Sequence, residues 1–296
     1  MKRLFSAACV IVISAVISPP LFAQWPAYPT PAVPKGPDGK PNLNGPAPRT
    51  PDGKPDLSGI WEAARGPGGG QRGAAAGGGQ RGAAAPAPPA PVAPAAPAAT
   101  PAGPPLATFF EIGAGFKDGP PYTPWAADIK KKRTQDNGKD NPDAHCLPLG
   151  LMQLHLHPQP RKIIQTPGVT IILYEAQGGV RQIFTDGRLL PNNDPQPWWY
   201  GYSVGHWDGD TLVVETTGFR DDVWLDVNGS PLTESGKITE RFRRPNYGSL
   251  EIEITIEDPK SYTKPFTVRV NQRVMLDTDL IEFICAENEK SSLHYK

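Results

Sequence analysis

The sequence predicts a mainly β protein: an antiparallel meander of nine short strands that closes into a barrel and follows a long Pro/Gly/Ala-rich arm. Three observations carry that reading. From residue 161 onward apolar and polar residues alternate with a period of two, the side-chain period of a strand. Gly, Pro, Asn and Asp clusters separate the alternating runs, with no helical crossover between them. Nine strands within residues 106–296 favour closure, because a closed sheet has no unpaired edge.

Residues 1–23 read as a signal peptide. Lys2 and Arg3 form a positive start, Leu4 to Ile17 an apolar run, and Leu21-Phe22-Ala23 a small-residue end suited to cleavage. The run is shorter than the roughly 20 residues of a spanning helix, so the expected location is the periplasm or the exterior. Residues 24–105 hold more than half of the 37 prolines, the related stretches PDGKPNLNG (37–45) and PDGKPDLSG (51–59), and a tandem GGGQRGAAA. Such composition has little apolar surface to offset chain ordering, so the arm is expected to be disordered. DLSGIWEAA (56–64) is the exception, since Leu57, Ile60 and Trp61 could dock on the main domain. Thr123 followed by Pro124 starts a helix over 124–136. The strands are then expected near 161–166, 169–175, 180–186, 200–207, 210–217, 237–244, 250–257, 266–274 and 280–285.

Two hairpins can be paired on paper. Over 237–257 one register sets Arg243 opposite Glu251, Arg241 opposite Glu253 and Lys237 opposite Glu257, while Phe242 meets Ile252 and Ile238 meets Ile256. A slip of one residue would set arginines against isoleucines, so the register is strongly specified. Glu240 breaks the pattern: it shares the apolar face with Ile238 and Phe242. A carboxylate there needs a structural arginine or a polar internal site. In GYSVGHWDGDTLVVETTGF (201–219) an Asp208-Gly209 turn would pair Trp207 with Asp210 and Tyr202 with Glu215. Tyr202, His206 and Glu215 then share a face that points either to solvent or into a cavity.

Composition narrows the partners. Without Lys2 and Arg3 the chain carries 28 basic and 30 acidic side chains, against 30 of each in the whole sequence. That balance offers no basic face for nucleic acid. Cys146 and Cys285 are the even pair left after the signal peptide, and in an exported chain they suggest a disulfide; two buried free thiols are the alternative. His155 and His157 would share one face of an extended segment and are weak metal candidates, because Pro158 to Arg161 supply no further ligand nearby. Trp198, Trp199 and Tyr200, with Arg181, could form a stacking surface for a sugar or aromatic ligand. No dinucleotide fingerprint, P-loop or nucleophile elbow occurs, and no cofactor is expected.

The segments PDGKPDLSGIW, HCLPLG, RKIIQTPG, VRQIFTDGR, GYSVGHWDGDTLVVETTGF, TERFRR, IEDPKSYTKPFTV and DLIEFICAEN resemble a family of secreted bacterial proteins, numerous in acidobacteria and some proteobacteria. The resemblance covers most of residues 50–288 outside the Gly/Ala/Pro insert. It implies a lipocalin- or calycin-like barrel and carries no established activity over. His206 stands where the family pattern suggests arginine, and Leu232 where many relatives place histidine. The leading functional expectation is binding of a small, partly apolar ligand, a carbohydrate or an aromatic compound, at the barrel mouth. The alternative is an acid/base hydrolase or lyase, with Glu240 or Glu215 as base and Tyr202 or His206 as acid. A third is a structural envelope protein whose arm contacts cell-wall material.

Overall fold

The computed structural model describes residues 28–64, 103–191, 196–285 and 287. The expected signal peptide and most of the Gly/Ala/Pro insert lie outside the described residues. Nine strands form a closed barrel: β1 (Gly59–Ala63), β2 (Arg161–Thr166), β3 (Val169–Tyr174), β4 (Val180–Phe184), β5 (Tyr202–Asp208), β6 (Thr211–Thr217), β9 (Lys237–Arg243), β10 (Ser249–Glu257) and β11 (Phe266–Met275). Their order around the barrel is β1-β11-β10-β9-β6-β5-β4-β3-β2. The short strands β7 (Val223–Trp224) and β8 (Pro231–Leu232) pair in the excursion between β6 and β9.

Eight of the nine expected strands form. The ninth does not: residues 280–284 run without strand pairing. Its place between β11 and β2 is taken by β1, the segment expected only to dock. Leu57 and Trp61 explain the substitution, since both are fully buried in the core and the Trp61 indole N–H donates to the Leu57 carbonyl at 3.0 Å. The hairpin of β9 and β10 has the register the charge pattern dictates, from Arg243 opposite Glu251 to Lys237 opposite Glu257. The hairpin of β5 and β6 differs by two residues: Asp208 pairs with Thr211 and Val204 with Glu215, so the loop is Gly209-Asp210. Gly209 alone of these two has positive φ, at 58°, so the turn is not the type I′ that Asp-Gly suggests. A slip of two preserves the faces, so the sharing of one side by Tyr202, His206 and Glu215 survives.

One strand pair is parallel, β4 with β5 through Ile183–Ser203 and Phe184–Val204. The antiparallel meander is interrupted there for a topological reason. Directions cannot alternate around a ring of odd number, so nine strands require a parallel neighbour. The chain leaves β4 and re-enters the wall at β5 running in the same direction.

Of the two α-helices among the described residues, one matches expectation and the other does not. Helix α1 (Pro124–Gln135) starts as expected, with Thr123 Oγ1 accepting the Ala126 amide at 3.2 Å and Lys132 and Arg133 in the last turn. Helix α2 (Leu151–Leu156) lies in a proline-flanked entry stretch for which no helix is expected. Four of its six residues are apolar, and all six side chains are buried. Leu151, Met152 and Leu154 pack with inward residues of the barrel such as Val214, Phe242, Ile252 and Val268, so the interior is filled rather than hollow. The disulfide Cys146–Cys285 forms, and it fastens the segment before α2 to the chain beyond β11.

Candidate functional site

The polar groups of the interior gather around Glu240. Strand alternation on β9 turns it inward with Ile238 and Phe242, and it is fully buried. Arg181 of β4 approaches from across the barrel. Its Nη1 donates to Glu240 Oε1 at 3.0 Å and its Nη2 to Oε2, a bidentate pair. His155 of α2 completes the triad, with Nε2 at 2.8 Å from Glu240 Oε1. The remaining Arg181 donors reach Ser203 Oγ of β5 at 3.1 Å and Thr216 Oγ1 of β6 at 3.0 Å. One buried cluster therefore ties α2, β4, β5, β6 and β9 together.

Its electrostatics follow from burial and pairing. Burial by itself would push the Glu240 carboxyl up, but Arg181 beside it and the His155 bond overcome that and hold it at about 2. His155 moves down from its ordinary value, because burial disfavours the imidazolium more than Glu240 favours it. A neutral ring that bonds a carboxylate through Nε2 carries its proton there. Nδ1 is then a bare acceptor, and it is buried without a partner. Burial pushes the Tyr174 hydroxyl to about 12; it sits beside Arg181 but makes no hydrogen bond of good geometry. Arg161, also buried, binds the carbonyls of His155 at 2.5 Å and His157 at 3.1 Å and so closes the C-terminal end of α2.

Outward from this cluster, the wall opens at the parallel pair. Only two residue pairs join β4 to β5, and the strands part on the Val180 and Tyr200 side. A cleft of about 220 Å³ occupies the gap. Trp198, Trp199, Tyr200, Tyr202 and Phe184 line it, with the inward-facing Arg181 and Ser203 at the floor. Phe184 and Tyr202 stack with centroids 5.3 Å apart, and the Arg188 guanidinium covers Phe184 at 3.8 Å and donates to the Tyr202 hydroxyl at 3.1 Å. Arg220 lies 4.6 Å over the Trp199 ring. Each of these arginines has a carboxylate: Glu240 for Arg181, Asp186 for Arg188 and Asp222 for Arg220.

The four expected ligand-binding residues, Arg181, Trp198, Trp199 and Tyr200, thus line one cleft. The four expected acid/base residues do not converge. Tyr202, His206 and Glu215 stand on the outer face, with Glu215 paired to Lys237, whereas Glu240 is sealed inside. His155 and His157 also separate, because 151–156 is helical rather than extended. His155 turns to Glu240, and the His157 ring packs edge-on against Phe109 at 5.0 Å. Among the described residues no cluster of three or more His, Cys, Asp or Glu side chains could hold a metal. Asp208 and Asp210 have partners beyond their turn: Asp208 accepts from Arg241 at 3.0 Å, and Asp210 takes a bidentate pair from Arg49 at 3.0 and 2.6 Å. Sequence reasoning does not single out Ser203, Thr216 or Phe184. For the first two a signal exists, since each is a polar residue at an inward position, as Glu240 is. Comparison of the chain with family models, curated proteins and solved structures finds no match.

Proposed function

We propose that this protein binds a small neutral ligand carrying one ring, a carbohydrate or an aromatic compound, in the cleft beside the β4–β5 seam. The observation that carries the reading is an aromatic-lined cleft whose floor and rim arginines are each neutralised by a carboxylate. Aromatic faces stack on sugar C–H groups or on rings, and paired arginines still offer oriented N–H groups without attracting a net anion. At about 220 Å³ the cleft falls below the usual 300–1,000 Å³ of ligand pockets, which limits it to a single ring. Glu240 serves this site by neutralising Arg181 and fixing the floor. A carboxyl at about 2 is a weak general base near neutral pH, and its burial denies it a substrate. The disulfide accords with an oxidising compartment, and we place the protein in the periplasm or outside the cell.

The test is titration of the full chain with a panel of neutral monosaccharides and simple phenols, read by tryptophan fluorescence and by two-dimensional NMR. Saturable shifts at the indole of Trp198 and a loss of about tenfold or more in affinity for Trp198→Ala are expected, the loss of one stacking face. Shifts that leave Trp198 untouched, or affinity unchanged in Trp198→Ala, would overturn the assignment.

A further inference from the structure

The molecule has a second, larger cavity that the cleft does not involve. It lies on the outer face of the barrel, under the chain preceding β1. Residues 28–32 and Pro48 roof it, Ile60 and Met275 form an apolar floor, and Arg244 and Lys162 stand in its walls. Its volume is about 590 Å³, well inside the range of small-molecule sites. The roof is fastened at one point by a reciprocal pair: the Thr30 amide donates to Asp277 Oδ1 at 2.8 Å, and the Asp277 amide donates to Thr30 Oγ1 at 2.7 Å.

Arg244 shows what the cavity would accept. It is almost fully buried, between the Trp61 ring at 4.8 Å and the Tyr247 ring at 5.1 Å. Its hydrogen bonds go to three backbone carbonyls, those of Asp56, Ser58 and Tyr247, and no carboxylate forms an ion pair with it among the described residues. A guanidinium has five N–H donors, so two are spare, and the buried Nε–H is one of them. Of the cations in its walls, Lys162 is paired with Asp279 at 3.0 Å, whereas Arg244 faces only the nearby carboxylate of Asp56, whose Oδ1 is engaged by the Ser58 amide at 2.8 Å. Elsewhere in this protein a buried arginine of comparable charge, Arg181, has its own carboxylate. Arg244, beside an apolar chamber, has no carboxylate bonded to it among the described residues, and Asp56 acts on it only at a distance. We propose that this cavity binds an anionic amphiphile, a molecule with an apolar body and one carboxylate, with the carboxylate at Arg244 and the body between Ile60, Met275 and the proline-rich roof.

The experiment uses the full chain with dodecanoate as the probe, measured by calorimetry below its aggregation concentration. Dodecanol and dodecyltrimethylammonium serve as the neutral and cationic comparisons. One-to-one binding of dodecanoate is expected, with the other two weaker by about tenfold or more, the usual weight of a charge-assisted hydrogen bond. Arg244→Gln should remove most of that preference. Because that change could disturb the loops Arg244 holds, Met275→Trp provides a second arm: it fills the chamber from its half-exposed floor and should abolish binding without touching the charge. Trp198→Ala should leave dodecanoate binding intact, which separates this site from the aromatic cleft. No binding of dodecanoate, equal binding of all three amphiphiles, or binding that survives Met275→Trp would each overturn the proposal.

Discussion

Replacing Glu240 with glutamine tests the centre of the barrel most directly. The two side chains are nearly isosteric, so packing changes little and the effect isolates charge and hydrogen bonding. Both carboxylate oxygens accept: Oε1 from Arg181 Nη1 and His155 Nε2, and Oε2 from Arg181 Nη2. An amide has only one oxygen, so either orientation of the new side chain sets its NH₂ against a donor. Arg181 would also lose the counter-charge it is paired with while staying buried. Removing one partner of a buried ion pair costs about 3–5 kcal/mol. The titration route gives a similar figure: a carboxyl held from 4.5 down to about 2 corresponds to about 3 kcal/mol of stability near neutrality. The Glu240→Gln variant should therefore melt roughly 10 °C lower. Because the folded state holds this group below its unfolded value, its contribution is complete above about pH 4.5 and disappears as pH falls through about 2. Urea unfolding of both proteins at pH 7 and at pH 3 checks the argument. A difference under about 1 kcal/mol at pH 7, or one that does not shrink in acid, would refute an ionised Glu240 as the counter-ion of Arg181.

Three further outcomes are expected. Reduction of Cys146–Cys285, or its replacement by serines, should lower stability by up to about 5 kcal/mol in the chain-entropy view, because the bridge closes a separation of 139 residues; unfolding with and without reductant measures it. Trp61→Ala should cost about 3–5 kcal/mol, the weight of a large core residue, and a near-neutral change in thermal unfolding would show that β1 is not a barrel strand. His155 and His157 are both held below their ordinary values by burial, His157 at about 4, so the unfolded chain takes up their protons first and stability should fall as pH drops below about 6.5. His155→Gln should weaken that dependence, and its hydrogen-bonding amide keeps a donor for Glu240; a pH series of melting temperatures decides.

What the sequence makes legible is whatever rests on period and parity. The β9–β10 register follows from charges and isoleucines that can satisfy each other in one alignment only, and Glu240 is visible as the exception to it. The faces of β5 and β6 are readable even though their register is offset, because a slip of two leaves the pleat unchanged. Less legible is anything that tertiary burial decides. LMQLHL is too short for periodicity to separate helix from strand, and only the enclosing barrel makes a one-turn-and-a-half helix worth forming there. That ambiguity hides the pairing of His155 with Glu240, which no local pattern announces across a separation of 85 residues. Strand β1 is obscured for a similar reason: five strand residues within a proline-rich arm carry little signal until β11 and β2 offer them two edges.

The position of the aromatic cleft is tied to the strand count. Had 280–285 closed an all-antiparallel sheet, the ring would have needed an even number of strands. With nine, one parallel contact is unavoidable, and a parallel pair requires a long return, here the 185–201 connection. That return brings Trp198, Trp199 and Tyr200 to the seam, and the brevity of the β4–β5 pairing leaves the seam open beside them. An opening in the wall would expose the inward side chains of both strands, which are Arg181 and Ser203. An unpaired arginine there would draw anions and water into the core; Glu240, delivered from the far side of the barrel, removes the charge while leaving the N–H groups in place. The buried triad and the exposed cleft are thus two consequences of one topological constraint, and Glu240 is the residue through which a change in the core would be felt at the surface.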